Sequence, residues 1–266
     1  FVIYEADDQQ ALIKRVIKEK RINESDYRPN QVLARISNAK NDLLGPDEYP
    51  LVSYRDETIK ALFQAYQAYL VASNAMDFDD MLLYTANLLE SQPELRQKYA
   101  HRFQHILVDE FQDTNLAQYQ LIHHLASLHQ NIFVVGDEDQ SIYRWRGADY
   151  RNVQRFSKDY PEGEKILLTQ NYRSTQTILD TAVAVINENP HRTEKTLFTD
   201  RGAGEAVTVY EAPDDHDEAD YVVDTIARQV LQGKAKESDF AIMYRTNAQS
   251  RLLEEAFRRA KRGYRL

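Results

Sequence analysis

From residue 1 to about residue 75 the apolar positions return at three- and four-residue intervals. Leu12, Ile13, Val16 and Ile17 form one set, Val32, Leu33 and Ile36 a second, and Ile59, Leu62, Phe63, Tyr66 and Tyr69 a third. Such spacing gathers each set on one face of a helix. Pro29, the Gly45-Pro46 pair and Pro50 punctuate the segment into three helices, and no strand-like alternation intervenes. The pattern predicts a small helical unit.

Beyond Asp77 the texture changes. Short apolar runs at 105–108, 132–135, 166–168, 207–210 and 240–243 read as buried strands, and between them 116–128, 148–156, 175–186, 218–231 and 248–259 read as helices. This alternation predicts a parallel sheet covered on both faces, hence an α/β fold with an appended helical domain. Asn189-Pro190 and Gly202-Ala203-Gly204 read as loops, and neither an internal repeat nor a low-complexity linker is present.

Composition narrows the classes. With 42% hydrophobic and 11% aromatic residues in 266, the chain has material for one large or two small cores. It has no uninterrupted apolar run near the roughly 20 residues a membrane span needs, so the expectation is a soluble, cytoplasmic protein. The absence of cysteine excludes disulfides, thiolate metal sites and cysteine nucleophiles. His123 and His124 are adjacent rather than four apart, so they do not share a metal on one helix face and read as structural. A net charge of -9 argues against coating DNA by bulk attraction. Local basic runs remain, at Arg144, Arg146, Arg151 and Arg155 and again from Arg251 to Arg265, whereas 211–220 is strongly acidic and suits a solvated helix N-terminus.

In parallel sheets ligands bind beyond the carboxyl ends of strands, which directs attention to the residues just after each apolar run. After Ile106-Leu107-Val108 come Asp109-Glu110-Phe111-Gln112-Asp113. Two adjacent carboxylates behind a buried strand suit a nucleotide site, one holding Mg²⁺ and the other orienting or deprotonating the attacking water. The competing role is capping of the next helix, which Asp113-Thr114 is expected to serve. After residues 132–135 comes Gly136-Asp137-Glu138-Asp139-Gln140-Ser141-Ile142-Tyr143-Arg144-Trp145-Arg146-Gly147. There Gly136 permits a tight turn, the neutral amide of Gln140 can report on a terminal phosphate, and Tyr143 and Trp145 between arginines offer stacking faces for bases. The alternative for a lone tryptophan is a place in the core. The third cluster, Thr169-Gln170-Asn171-Tyr172-Arg173-Ser174, supplies a tyrosine that can stack on a base and an arginine that can reach a transferring phosphate. It reads equally as a helix capped by Ser174 with Arg173 in a surface ion pair.

Taken together and in this order, the three clusters resemble motifs II, III and IV of the UvrD/PcrA-type ATP-dependent DNA helicases of superfamily 1. The opening Tyr4-Glu5-Ala6-Asp7-Asp8-Gln9 and the stretch Asp77-Phe78-Asp79-Asp80-Met81-Leu82 are also similar to signatures of that family. The resemblance implies parts of two RecA-like P-loop NTPase domains with an inserted all-helical accessory domain: residues 1–76 the accessory helices, 77–168 the second part of the first motor domain, and 169–266 the first part of the second. It implies ATP and Mg²⁺ as cofactors, with Asp109 and Glu110 as the metal and water-activating carboxylates and Gln140 coupling the γ-phosphate to DNA. Tyr172 would stack on adenine and Arg173 would act as an arginine finger. Tyr143, Trp145 and Arg146 would contact single-stranded DNA, as would Arg245 and Asn247, whose other reading is a strand end followed by a helix cap.

The implied activity is a 3'-to-5' DNA helicase or translocase in repair or replication, with single-stranded DNA, duplex junctions and repair or replication proteins as partners. No Gly-x-x-x-x-Gly-Lys-Ser/Thr occurs in the sequence, and the family's last motifs do not follow Arg245, so the expectation is an internal piece of such a motor, inactive alone. Two other readings stand beside it: the motor part of a helicase-nuclease, and a non-catalytic module that binds single strands or a repair partner.

Overall fold

The computed structural model describes residues 1–189, 193 and 195–266, with Arg146 described in its backbone only. It divides into two compact units, residues 1–169 with 185–196, and residues 170–184 with 197–266.

The first unit opens with the helices expected from the apolar spacing: α1 (Ala6–Glu19), α2 (Pro29–Asn41) and α3 (Tyr54–Ala72). Pro29 stands at the start of α2, where its missing N–H costs nothing. Leu12, Ile13, Val16, Ile17, Val32, Ile36, Ile59, Leu62, Phe63 and Tyr66 are all buried in one core, with Leu33 and Tyr69 packed against it. The segment is not wholly helical, however. Val2–Ile3 (β1) pairs in parallel with Ala75–Met76 (β2), and two-residue strands carry no period from which a sequence pattern could reveal them.

Two helices unassigned by periodicity, α4 (Phe78–Ser91) and α5 (Pro93–Arg102), lead to β3 (Ile106–Val108), α6 (Leu116–Ala126), β4 (Ile132–Val134) and α7 (Arg151–Asp159). Strands β3 and β4 are parallel neighbours, with Ile106 opposite Ile132 and Val108 opposite Val134. On α6, burial holds His124 below its ordinary pKa, against a weaker opposing pull from Glu90. In the second unit α9 (Asp215–Leu231) and α10 (Ser250–Arg259) bury Ala219, Val223 and Ile226 against Ala256 and Phe257, and α8 (Gln176–Ile186) precedes them. The acidic run does serve a helix start: Asp214 caps α9 by accepting from the amide of Asp217 at 2.9 Å.

Three of the five expected strands do not form among the described residues. The runs at 166–168, 207–210 and 240–243 join no ladder, and Leu168, Val209 and Met243 are 79%, 92% and 94% exposed. An apolar run marks a segment that gains by burial, but a strand also needs a neighbour's backbone to pair with. Among the described residues of this stretch, the pairing that does form is the bridge between Gln170 and Phe198.

A buried ion cluster fastens the helical segment to α4. The fully buried Lys40, on the last turn of α2, places its ammonium 2.6 Å from Asp77 Oδ2 and 2.8 Å from Asp80 Oδ1. These two aspartates are also the N-terminal cap of α4: Asp77 accepts from the Asp80 amide at 2.8 Å and Asp80 from the Asp77 amide at 3.2 Å. Tyr66 donates its hydroxyl to Asp77 at 3.0 Å and Gln67 its amide to Asp80 at 2.9 Å, so α3 joins the same cluster.

Lys40→Met should therefore cost about 3–5 kcal/mol of stability, because it strands two buried carboxylates. Burial already raises the Asp80 pKa, and losing Lys40 raises it further. The folded state then binds more protons than the unfolded chain, so acidification favours folding and the deficit should be smaller at pH 5 than at pH 8 in urea unfolding. Equal deficits at both pH values would assign the loss to packing rather than charge.

Candidate functional site

At the carboxyl end of β3 the chain turns sharply. Asp109 and Glu110 are exposed, and Glu110 takes a left-handed backbone with φ 50°, uncommon for a residue other than glycine. The turn is held from both sides. The Phe111 amide donates to Val135 O at 2.9 Å, and the buried Phe111 ring packs on Tyr119 and Phe156. Asp109 Oδ1 accepts from the Glu110 amide at 2.9 Å, and Glu110 Oε2 accepts from Gln112 Nε2 at 2.8 Å.

The buried Gln112 bridges this loop to the one after β4. Its Oε1 accepts from the Asp137 amide at 2.9 Å, and its backbone carbonyl accepts from the Ser141 hydroxyl at 3.3 Å. Asp137 in turn accepts from Gln140 Nε2 at 2.8 Å. Glu110, Gln112, Asp137 and Gln140 thus form one hydrogen-bonded path. Lys195 pairs with Asp137, and with Asp139 at 3.2 Å. Burial alone would raise the Asp137 pKa, yet its bonds to Lys195 and Gln140 hold it below the ordinary carboxylate value.

Three residues past Gln140 the aromatic loop begins. Tyr143 and Trp145 lie with ring centroids 6.4 Å apart, and Trp145 is 67% exposed, which excludes the alternative of a core tryptophan. The Arg146 side chain lies outside the described residues. Of the neighbouring arginines, Arg151 and Arg155 are committed to Asp149, at 2.7 and 2.8 Å. In the C-terminal basic run, Arg251 pairs with Glu255, Arg258 with Glu254, Arg259 with Asp220 and Arg262 with Glu237.

The second unit carries the third cluster. Tyr172 is exposed and donates its hydroxyl to Gln170 at 2.7 Å, while the amides of Arg173 and Ser174 both donate to Asn171 Oδ1, at 2.9 and 2.7 Å. Ser174 therefore does not cap α8, which starts at Gln176. Arg245 is exposed, and Asn247 opens a 3-10 turn rather than following a strand. Nor do Asp113 and Thr114 cap α6. Asn115 does, accepting from the Gln118 amide at 2.8 Å.

Among the described residues no group of three or more His, Asp or Glu side chains is placed to hold a metal. Asp109 and Glu110 each have one oxygen engaged in hydrogen bonds within the loop and a second oxygen for a cation. A Mg²⁺ ion held by one or two carboxylates, with water and phosphate oxygens completing its shell, matches that donor set. Gln112 stands in the carboxylate cluster of the sequence with no role that its residue type assigns. A glutamine has no chemistry that singles it out, and only the approach of the two loops reveals the bridge.

The UvrD/REP helicase N-terminal domain matches residues 1–161, and the UvrD-like helicase C-terminal domain matches residues 166–266. The chain belongs to the UvrD-like helicase family, whose domains have a RecA-like α/β fold. It is 44% identical to the ATP-dependent DNA helicase PcrA of Leuconostoc citreum, 45% to that of Staphylococcus aureus and 44% to that of Staphylococcus epidermidis. Each match covers 99% of this chain and 36% of the relative, so the chain spans about a third of the length of these curated relatives.

Gly136 lies directly against the carboxylate loop. A Cβ there would lie 2.6 Å from Gln112 Oε1 and 3.2 Å from the amides of Phe111 and Gln112. Gly136→Ala should cost about 1–3 kcal/mol in thermal or urea unfolding, and part of that loss should return in the double variant with Gln112→Ala. Full additivity of the two substitutions would show that Gln112 is not what the new methyl group displaces.

Proposed function

We propose that this chain is part of the ATP-driven motor of a DNA helicase that moves 3'-to-5' along single-stranded DNA, in repair or replication. The observation that carries the reading is the path from Glu110 through Gln112 and Asp137 to Gln140, three residues before the aromatic loop of Tyr143 and Trp145. The strand-end carboxylate loop is thereby tied by hydrogen bonds to Gln140, from which the chain runs on into the exposed tryptophan loop. The architecture proposed is a helical accessory segment at 1–76 and two motor segments at 77–168 and 169–266.

In this reading Asp109 and Glu110 would hold Mg²⁺, which would supply positive charge against the charge developing on the transferring phosphate. Glu110, turned outward by its left-handed backbone, orients the attacking water and accepts its proton at the carboxylate. Gln140 presents a neutral amide to the terminal phosphate and registers its loss without a change of charge. Tyr143 and Trp145 stack on bases and Arg146 contacts the strand, which holds single-stranded DNA without sequence preference. Tyr172 stacks on adenine, Arg173 stabilises the transferring phosphate, and Arg245 and Asn247 contact the strand from the second motor segment. Partners are single-stranded DNA and duplex junctions, with repair or replication proteins as further candidates.

A non-catalytic single-strand binding module is the second reading for the 266 residues taken alone, because they contain no Gly-x-x-x-x-Gly-Lys-Ser/Thr to cradle a triphosphate. This polypeptide by itself should show no DNA-stimulated ATP turnover in a coupled assay. In the full-length protein that carries this sequence, Glu110→Gln should lower kcat about 10²–10⁴-fold with single-strand affinity unchanged. An active Glu110→Gln variant would remove Glu110 from the chemistry.

Titration with oligothymidine should quench Trp145 emission saturably, less so at higher salt, and Trp145→Ala should weaken binding by about tenfold or more. Because Trp145 is the single tryptophan of the 266-residue polypeptide, its emission in that polypeptide reports this loop alone. Equal affinity of Trp145→Ala and the parent would place the DNA elsewhere.

A further inference from the structure

Behind the two loops of the first unit lies a set of buried asparagines that the proposed motor roles do not use. Asn41 is the last residue of α2, next to the anchored Lys40, and is 4% exposed. Its Oδ1 accepts from Asn115 Nδ2 at 2.7 Å, a bond across 74 residues of sequence. Asn115 does not need that bond to cap α6, because capping uses its other side-chain atom, Oδ1. On the far side of Asn115, Asn152 Nδ2 lies 2.9 Å from Thr114 O, 3.1 Å from Thr114 Oγ1 and 3.1 Å from Asn115 O. Thr114 closes the carboxylate loop by donating its hydroxyl to Phe111 O at 2.7 Å.

Asn41 also meets the end of the aromatic loop. A Cβ on Gly147 would lie 3.0 Å from Asn41 Nδ2 and 3.4 Å from its Cβ and Cγ, so the Gly147 backbone rests directly on this amide. Gly147 is also in the left-handed region, with φ 88°, two residues after Trp145. One side chain thus touches the end of the loop that bears Trp145 and holds the cap just past the loop bearing Asp109 and Glu110. Lys40, clamped between Asp77 and Asp80, anchors the last turn of α2 from which that side chain projects. Close-packed, fully partnered polar groups pass a displacement on rather than absorb it.

We propose that Asn41 is a positioning residue that couples single-stranded DNA at the Trp145 loop to the carboxylate loop, through its contact with Gly147 and its hydrogen bond to Asn115. The proposal rests on the helicase reading. Asn41 touches no reacting atom; its function is to make the rate of hydrolysis depend on DNA.

The test uses the full-length protein that carries this sequence and three variants: Asn41→Leu, which fills the space but removes the acceptor, Asn115→Ser, which keeps a capping hydroxyl but withdraws the donor, and the double variant. ATP turnover is measured with and without oligothymidine, beside the KM for ATP and the Kd for oligothymidine. Each single variant should lose about tenfold of the DNA stimulation of kcat, and the double variant should lose no more than the worse single, as expected for one shared link. Basal kcat, KM and Kd should stay within about twofold, a split that general damage to the fold does not produce. Stimulation equal to the parent's overturns the coupling, as does a parallel fall of basal and stimulated rates. Where Asn41→Leu does not fold, Asn115→Ser alone decides. An unmodified protein whose hydrolysis ignores DNA overturns the helicase reading and the coupling with it, whereas a stimulated parent with equally stimulated variants overturns the coupling alone.

Discussion

The ammonium of Lys40 is the constraint on which the first unit depends. It is removed from water and held by two carboxylates that also cap α4, while Tyr66 and Gln67 bring α3 to the same point. Three consecutive helices, α2, α3 and α4, therefore share one charge cluster, and none can shift without exposing an unpaired ion to a medium that solvates it poorly. Apolar packing among α1, α2 and α3 supplies adhesion, but adhesion tolerates sliding. The ion cluster sets the register, and the register decides where Asn41 meets the Asn115 cap and the Gly147 backbone.

From that fixed point the loops are placed by contact. Glu110 adopts an unfavourable backbone because Phe111 is tied to Val135 and buried among aromatic rings, so the neighbouring strand compensates for the local cost. Gln112 then converts the proximity of β3 and β4 into a bond between their loops, a step that only a glycine at position 136 allows. Two parallel strands of three residues each thus assemble the whole carboxylate side of the site.

The sequence disclosed the parts of this structure that rest on repetition or on concentrated chemistry. Helical spacing marked the core of α1 to α3, and the acids after Val108 and the aromatic loop before Gly147 stood out by composition. What stayed hidden depends on distance along the chain. Strands β1 and β2 are two residues long and meet across more than seventy positions, and Asn41, Asn115 and Asn152 look like ordinary polar residues until the fold brings them together. The expected strands at 166–168, 207–210 and 240–243 show the converse: hydrophobicity is a property of a segment, whereas a ladder is a property of two. The helix caps teach the same lesson, for Asn115 rather than Asp113 or Thr114 caps α6, and what decides is its place directly before the first turn rather than residue type.

Those unladdered runs have a practical side. Among the described residues, the segments that turn Leu168, Val209 and Met243 to solvent join no ladder, and greasy side chains on chain without a ladder are the combination that recruits other chains edge to edge. In concentrated solution this polypeptide is thus its own nearest competitor for those edges. Handling it becomes a question of colloid chemistry, in which dilution, net charge and a bound ligand decide whether the molecules remain separate.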